Sequence, residues 1–573
     1  MKFRHPLRHP FIAFALLSAF FLARSARADA AESTAPVQLA NQNGRHTLLV
    51  EGQPFLILGG ELYNSSSSSA DYMDGVWPTL AASGINTVLA NVSWNQFEPE
   101  PGRFDTTLID SLLLKAQEHD LRLIILWFGS WKNGESSYAP LWVRRDLASF
   151  PRVVSKQGEV LETLSVFGEK TRAADRRAFT ALMKRIREKD VSHRVIMVQI
   201  QNEVGLLGSD FDYGVGAAVP SQPVPPKLLD YLATHRDQLR PETRRAWTEA
   251  GARTAGSWLE VFGDTPSARE FALAWHYATF INELAEAGRK EIDLPVFVNA
   301  WIVQNDRELP GDYPAGGPVS RVMDIYKAAA PAIDLMAPDI YLADFKGITA
   351  DYVRADNPLF VPESTFDAGR AFYAIGQHAA LGYSPFGIDD IGRHPSYGTA
   401  LRVLGELAPL LHESRRVGRP IRGVLRQGNE TGDTLELDDV TLTVRYPRAD
   451  LPAYGLVIRT ERDEFVIAGV NLIVEFKSRD SARVAKIAEV HDGQFARGQW
   501  KPGRLLNGDD TFHNAAVRVY GRSWINGPTF KADADLPPQP TVANAVNAPA
   551  AAVASAATAQ PTPGIYHVKL YWR

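Results

Sequence analysis

Between Phe55 and Asp389 the chain alternates eight short apolar, β-rich runs with amphipathic helical stretches. The runs are FLILGGELY (55–63), NTVLANVSW (86–94), RLIILWFG (122–129), RVIMVQIQNE (194–203), LPVFVNAW (294–301), LMAPDIYL (335–342), LFVPES (359–364) and SPFGID (384–389). Most are continuously apolar rather than two-faced, as expected of strands covered on both sides. Helical stripes lie between them. Tyr72, Val76, Trp77 and Leu80 share a face ahead of a Gly84 cap, and Leu108, Leu112 and Ala116 follow the N-cap Asp105. Phe179, Leu182, Met183 and Ile186 form a third stripe; Phe271, Trp275 and Ala278 form a fourth behind the N-cap Thr265 and Pro266. This pattern predicts an α/β fold, a (β/α)8 TIM barrel over residues 31–422. A doubly wound open sheet is the alternative, but no GxGxxG loop follows the first strand.

After Gly423 the character changes. VTLTVRYP, YGLVIRT, EFVIAGVNLIVEF and the terminal GIYHVKLYWR alternate β-branched and aromatic residues with turns. They predict a C-terminal β-sandwich over 423–573, interrupted by a Pro/Ala-rich, nearly uncharged segment at 533–564 that reads as a disordered insert. At the other end, MKFRHPLRHPFIAFALLSAFFLARSARADA places basic residues before an apolar run from Phe11 to Ala23. That is the pattern of a signal peptide, residues 1–30, cleaved between Ala28 and Ala30; an uncleaved anchor is the alternative, and no other segment is apolar enough to span a bilayer. The chain has no cysteine, which excludes disulfides, thiol nucleophiles and thiolate metal sites. Export without disulfides suggests a periplasmic or secreted bacterial protein.

The net charge of -5 gives no reason to expect nucleic acid or an acidic membrane as partner. The 13 histidines are scattered without HExxH, and no G-x-S-x-G elbow occurs. No metal and no cofactor are implied.

In a TIM barrel, reactive groups sit at the C-terminal ends of the strands. Glu203 ends the fourth run and Glu363 the seventh, so both project into one mouth from nearly opposite sides. Two carboxyls facing across a sugar are the minimum for glycoside hydrolysis: one protonates the leaving oxygen, the other attacks the anomeric carbon. Each glutamate alone reads as readily as a solvated strand end. Glu203 then needs its pKa raised by burial and by the charge of Glu363. A separation of about 5–5.5 Å predicts retention, and about 8 Å inversion. Tyr341, after strand six, is a candidate donor to Glu363, or a tyrosine packed at the rim. Glu61, ending strand one, is a candidate acceptor for a sugar hydroxyl, while Glu98 reads as structural. Trp94, Trp127, Trp131 and Trp301 lie near strand ends, either stacking on sugar or packing in core and rim.

Three stretches narrow the chemistry. GGELYNSSSSS, GINTVLANVSWNQFEPEPGRFD and NGESSYAPLWV, with the Asn-Glu pair ending strand four, resemble glycoside hydrolase family 35, the β-galactosidases. The likeness covers residues 45–210, and the later barrel through Glu363. It implies a β-galactoside oligosaccharide or polysaccharide as substrate, Glu203 as general acid/base and Glu363 as nucleophile. It further implies that Asn202 bonds the C2 hydroxyl, and that Asn133 and Glu135 grip the galactose hydroxyls. Asn91 stands where many members carry a sugar-binding tyrosine, Phe97 replaces a histidine, and Leu62-Tyr63 replaces His-Tyr. These departures suggest a divergent bacterial branch whose members with a trailing β-domain act on plant cell-wall galactosides such as xyloglucan side chains. Another retaining glycosidase of the same clan and a non-catalytic carbohydrate-binding protein are the rival readings.

Overall fold

The computed structural model describes residues 36–42, 44–506, 511–512, 516–521 and 561–573. The expected signal peptide at 1–30 and residues 533–560 of the expected insert at 533–564 lie outside them, while Gly564 already belongs to the last strand, Gly564–Trp572. Within the unit Pro36–Arg573, seven strands form one parallel sheet. Their order is Leu335–Asp339, Val296–Trp301, Val195–Asn202, Arg122–Lys132, Thr87–Ser93, Ile57–Glu61 and Gly382–Tyr383. The second and fourth strands are buried at every position, because helices cover the sheet outside and side chains fill it inside.

The sheet curls into a barrel through residues 359–364. This stave joins its neighbours by isolated bridges, Ile340 to Ser364 and Val361 to Tyr383, with backbone bonds from Ile340 N–H to the Glu363 carbonyl (3.0 Å), Leu381 N–H to the Leu359 carbonyl (2.8 Å) and Ser384 N–H to the Val361 carbonyl (2.9 Å). The expected seventh strand is therefore corrected to an extended stave, and Pro362, lacking an N–H, supplies the reason. The expected eighth strand at 384–389 is corrected to Gly382–Tyr383: Pro385 and the left-handed Gly387 end it, and Ile388–Arg393 forms a 3-10 helix.

The helices run near their expected places with shifted faces. Ala70–Ser83 is capped by the Ser69 side chain and left-handed Gly84, and buries Met73, Trp77 and Leu80, whereas Tyr72 is 52% exposed. Thr107–Glu118 takes Thr106, not Asp105, as its N-cap, and buries Ile109, Leu112, Leu113 and Ala116. Leu112 and Ala116 of the expected stripe stay buried, and Ile109 and Leu113 extend the face in place of the half-buried Leu108. Glu169–Lys189 buries the whole third stripe, and Pro266–Arg289 is capped by Thr265. Among the described residues no helix is long and apolar enough to cross a membrane.

The last barrel helix, Pro395–Val417, leads directly into Ile421–Leu425, the first strand of the C-terminal β-domain. Two antiparallel sheets, of six and five strands, face each other across a core that includes Val424, Leu442, Phe465, Phe476, Val517 and Val568. The run EFVIAGVNLIVEF is two strands, Glu464–Val470 and Leu472–Ser478, one in each sheet. Asn471 makes the switch in a left-handed conformation (φ 55°), which its short polar side chain tolerates while donating to the Arg448 carbonyl at 2.8 Å.

The sandwich packs on the helix Ala368–His378, which follows Glu363 in the chain. Glycines permit the approach: a Cβ at Gly376 would lie 3.0 Å from the Gly423 Cα, and one at Gly423 would lie 2.7 Å from the Tyr373 carbonyl.

Candidate active site

The end of strand four is held in an unusual backbone shape. Gln201 and Glu203 both adopt positive φ (64° and 44°), as does Asn133 opposite (55°). Such conformations cost about 1 kcal/mol or more each for non-glycine residues and persist only where neighbours enforce them. Here the enforcement is visible. The Glu203 N–H donates to Asn299 Oδ1 (2.9 Å), Asn133 N–H to the Asn202 carbonyl (3.2 Å) and Gly134 N–H to the Glu203 carbonyl (3.1 Å).

Strand three bulges beside it. Trp127 pairs with Ile200 and Lys132 with Asn202, so five residues' advance on one strand matches two on the other. The buried Asp175 fills the bulge, accepting from Trp127 Nε1 (2.7 Å), Ser130 N (3.0 Å), Ser130 Oγ (2.6 Å) and Gln201 Nε2 (2.7 Å). The bulge delivers Lys132 to the mouth, where its Nζ donates to Asn202 Oδ1 at 2.9 Å. That bond fixes the amide flip of Asn202 and leaves Nδ2 as a buried donor with no partner.

Glu203 and Glu363 meet. One carboxylate oxygen from each of Glu203, Asp339 and Glu363 lies within 4.8 Å of the other two, and all three residues are buried. Tyr341 donates its hydroxyl to Glu363 Oε1 at 2.6 Å, although its ring is 47% exposed. Asn299 Nδ2 donates to Asp339 Oδ2 at 2.7 Å. Glu61, 2% exposed, joins the group beside Glu363. Glu61 Oε1, Asn133 Oδ1, Asp339 Oδ1 and Glu363 Oε2 are also buried and receive no hydrogen bond. Buried polar atoms are nearly always paired, so their convergence at one mouth marks a place built for a polar ligand.

Four buried carboxyls around one ammonium cannot all ionise near neutral pH. Two charges at this spacing repel by about 3–4 kcal/mol at an effective dielectric of about 20. Burial, then the charge of Glu363, pushes Glu203 up to about 7, with Lys132 pulling the other way. The same two causes hold Glu61 and Asp339 well above the ordinary carboxyl range. Tyr341 is kept protonated by burial and by Glu363, so it acts as a donor. The site therefore offers a proton-bearing Glu203 across from Glu363, at a spacing short of the roughly 6.5–9.5 Å that inverting enzymes need.

Other residues named from the sequence lie elsewhere. Asn91 Oδ1 accepts from Ser67 Oγ at 2.7 Å, and the residue lines a separate cavity of about 360 Å³ with Ser93, Gln96 and Thr107. Glu135 is exposed at the tip of the Lys132–Glu135 turn. Trp94, Trp127 and Trp131 are fully buried core residues, their indole N–H groups bound to Glu98, Asp175 and the Leu164 carbonyl, so none can stack on a sugar. Trp301 is half-buried at the end of strand five. Glu98 is wholly buried, and accepts from Trp94, Gly102 N and Arg177. Sequence reasoning missed Lys132, Asn299 and Asp339. Each sits at or near the end of strand three, five or six, and a survey of polar residues at all strand ends would have found them.

Residues 47–223 match the family model for glycosyl hydrolases family 35, and residues 397–518 match a domain of unknown function, DUF5597. The chain is similar to Beta-galactosidase 8 of Oryza sativa subsp. japonica, 31% identical over 172 residues (29% of this chain, 24% of the relative). It is also similar to Beta-galactosidase-1-like protein 3 of Homo sapiens, 29% identical over 177 residues (30% and 25%). The chain thus spans about a quarter of the length of these curated relatives. Similar solved structures include a β-galactosidase from Rahnella sp. R3 (16% identity, TM-score 0.41, 62% of this chain and 57% of that one). Another is a β-galactosidase from Halorubrum lacusprofundi (17%, 0.41, 61% and 58%). The stretch matched by the glycosyl hydrolases family 35 model, residues 47–223, builds strands one to four and ends beyond Glu203.

Proposed function

We propose that this protein is a retaining exo-β-galactosidase that removes terminal β-D-galactosyl residues by double displacement. The observation that carries the reading is the approach of Glu203 and Glu363, within 4.8 Å, with Glu203 titrating near 7. Glu203 gives its proton to the glycosidic oxygen as the bond to C1 breaks. Glu363, with Tyr341 on its other oxygen, forms the new bond to C1. Glu203, now a carboxylate, then takes a proton from water as the water oxygen attacks C1 and releases Glu363 with net retention. The free Nδ2 of Asn202 faces this chemistry as a donor for the C2 hydroxyl, a bond that strengthens as the oxocarbenium ion develops. Asn133 Oδ1 and Glu61 are further partners for sugar hydroxyls.

The family match and the names of the similar proteins support galactose as the sugar. The substitutions at Leu62, Asn91 and Phe97, with the C-terminal β-domain, support a divergent bacterial enzyme acting on cell-wall galactosides such as xyloglucan side chains. The basic and apolar N-terminus supports export to the periplasm or medium. The exposure of Glu135 keeps a second reading, a retaining β-glucosidase, β-mannosidase or α-L-arabinofuranosidase using the same pair. A panel of nitrophenyl glycosides tests both: release is expected to be fastest from the β-galactoside, and faster release from another glycoside overturns galactose as the substrate.

A further inference from the structure

Asp339 has no role in the double displacement as usually written, yet its carboxyl comes within 4.8 Å of that of Glu363 and it shares one amide partner with Glu203. Asn299 spans the two: its Oδ1 takes the Glu203 N–H at 2.9 Å and its Nδ2 donates to Asp339 Oδ2 at 2.7 Å. A single amide thus sets the position of Glu203's backbone and of Asp339's carboxyl. Asp339 Oδ1 is buried and receives no donor, and a carboxyl oxygen of Asp339 lies within 4.8 Å of one from Glu203 and one from Glu363. The titratable and charged groups acting around it are Glu203, Glu363, Glu61, Lys132, Tyr341 and Tyr352. The one cation among them, Lys132, hydrogen-bonds Asn202 rather than Asp339. With no cation bound to it and two carboxyls beside it, the low-energy state of Asp339 is the neutral acid, whose O–H needs an acceptor.

We propose that Asp339 is a positioning residue that keeps its proton at working pH and shares it with Glu203 as a dyad. The inference rests on the role given to Glu203 under the proposed function. In the resting enzyme the pair holds two protons. When Glu203 passes its proton to the leaving oxygen, the C1–O bond breaks and Glu363 bonds to C1. Asp339 keeps its own proton and donates it in a hydrogen bond to the new Glu203 carboxylate. When water attacks C1 its proton returns to Glu203, the bond from C1 to Glu363 breaks, and the two-proton state is restored. The pair titrates as a unit, so the basic limb of the pH–rate profile belongs to both residues.

The experiment compares wild type, Asp339→Asn and Asp339→Ala on a β-galactoside, with pH profiles of kcat/KM and infrared spectra at pH 7. Asn keeps a neutral donor, so its basic limb is expected to stay within about 0.3 pH unit of wild type, while Ala moves the limb upward by about 1 unit. If Asp339 is instead an anion, Asn removes a negative charge beside Glu203 and the limb falls by about 1 unit or more, which overturns the proposal. The infrared difference between wild type and Asp339→Asn, which needs no turnover, is expected to contain the carbonyl band of a protonated carboxyl. A carboxylate band in its place overturns the proposal even if the Ala variant fails to fold. If wild type cleaves no glycoside, the proposed function fails, while the infrared band still decides the protonation of Asp339.

Discussion

The two glutamates are held by different means. Glu203 stands at the end of a parallel ladder, strands one to four, whose register is carried by backbone hydrogen bonds and shifts at the strand-three bulge. Glu363 stands on a stave joined by isolated bridges, whose backbone bonds include Ile340 N–H to the Glu363 carbonyl (3.0 Å) and Ser384 N–H to the Val361 carbonyl (2.9 Å), and side chains add to these: Ser364 Oγ to the Ile340 carbonyl (2.6 Å), Tyr383 to Ser364 Oγ (2.9 Å), and Arg370 to the Ile340 and Leu342 carbonyls (3.0 and 2.7 Å). Behind that stave the β-sandwich presses on the following helix. The proton donor is thus placed by the sheet itself. Glu363, the proposed nucleophile, is placed by backbone bonds and polar side chains on a stave whose following helix packs against the second domain.

The largest effects are expected at the glutamates. Glu363→Gln lowers kcat by more than about 10⁴-fold, because no covalent intermediate forms. Glu203→Gln lowers it by about 10²–10⁴-fold on substrates with poor leaving groups, and far less on nitrophenyl galactosides, whose leaving group needs no proton. Steady-state kinetics on both substrate types check the pair, and equal losses on the two would break the assignment of acid and nucleophile.

Removing the supports sharpens the contrast. Asp175→Ala strands a cluster of buried donors and lowers stability by about 3 kcal/mol or more in chemical unfolding. Ser364→Ala loses only about 1 kcal/mol, but its kcat is expected to fall out of proportion because Ser364 adjoins Glu363 and its hydroxyl joins the Ile340 carbonyl to Tyr383. If the two variants lose activity in proportion to stability, the two halves are not held differently. Gly376→Val drives a side chain into Gly423 and Leu456, and is expected to lower activity at temperatures where the barrel remains folded.

The pH dependence of stability is smaller in effect. Glu203 keeps its proton to about 7 in the folded protein against an ordinary 4.5. Between these values the native state binds more protons than the unfolded state, so stability falls as pH rises through the window. Glu61 and Asp339 act with the same sign. Unfolding curves for Glu203→Gln between pH 4.5 and 7 are expected to be flatter than wild type; an equal slope means Glu203 is not elevated. Smallest of all, dialysis against a chelator is expected to change kcat by less than about twofold, since Lys132 supplies the positive charge among the carboxyls.

The same division governs what the sequence discloses. Strands one to six announce themselves as apolar runs because burial on both faces leaves no alternative, and Glu203 is legible as the acid breaking such a run. Glu363 is legible as the acid ending the seventh apolar run, yet the reduction of that run to isolated bridges is not, because Pro362 removes an N–H while the apolar pattern remains. Helix ends move by a residue where two caps compete, as Thr106 does with Asp105. Asn91 and Glu135 could be placed only by analogy, and the folded chain gives the first to Ser67 and the second to solvent. Lys132 and Asp339 escape notice because the strand-three bulge and the Asn299 clamp that bring them inward depend on contacts between distant segments.

The most direct test is to trap the intermediate with a 2-deoxy-2-fluoro-β-galactosyl fluoride and to map the adduct by mass spectrometry. The expected result is one covalent galactosyl group on the peptide bearing Glu363, formed in wild type and absent in Glu363→Gln. A label on another carboxyl, or an α-configured first product with no adduct at all, contradicts a nucleophilic Glu363 facing a proton-donating Glu203.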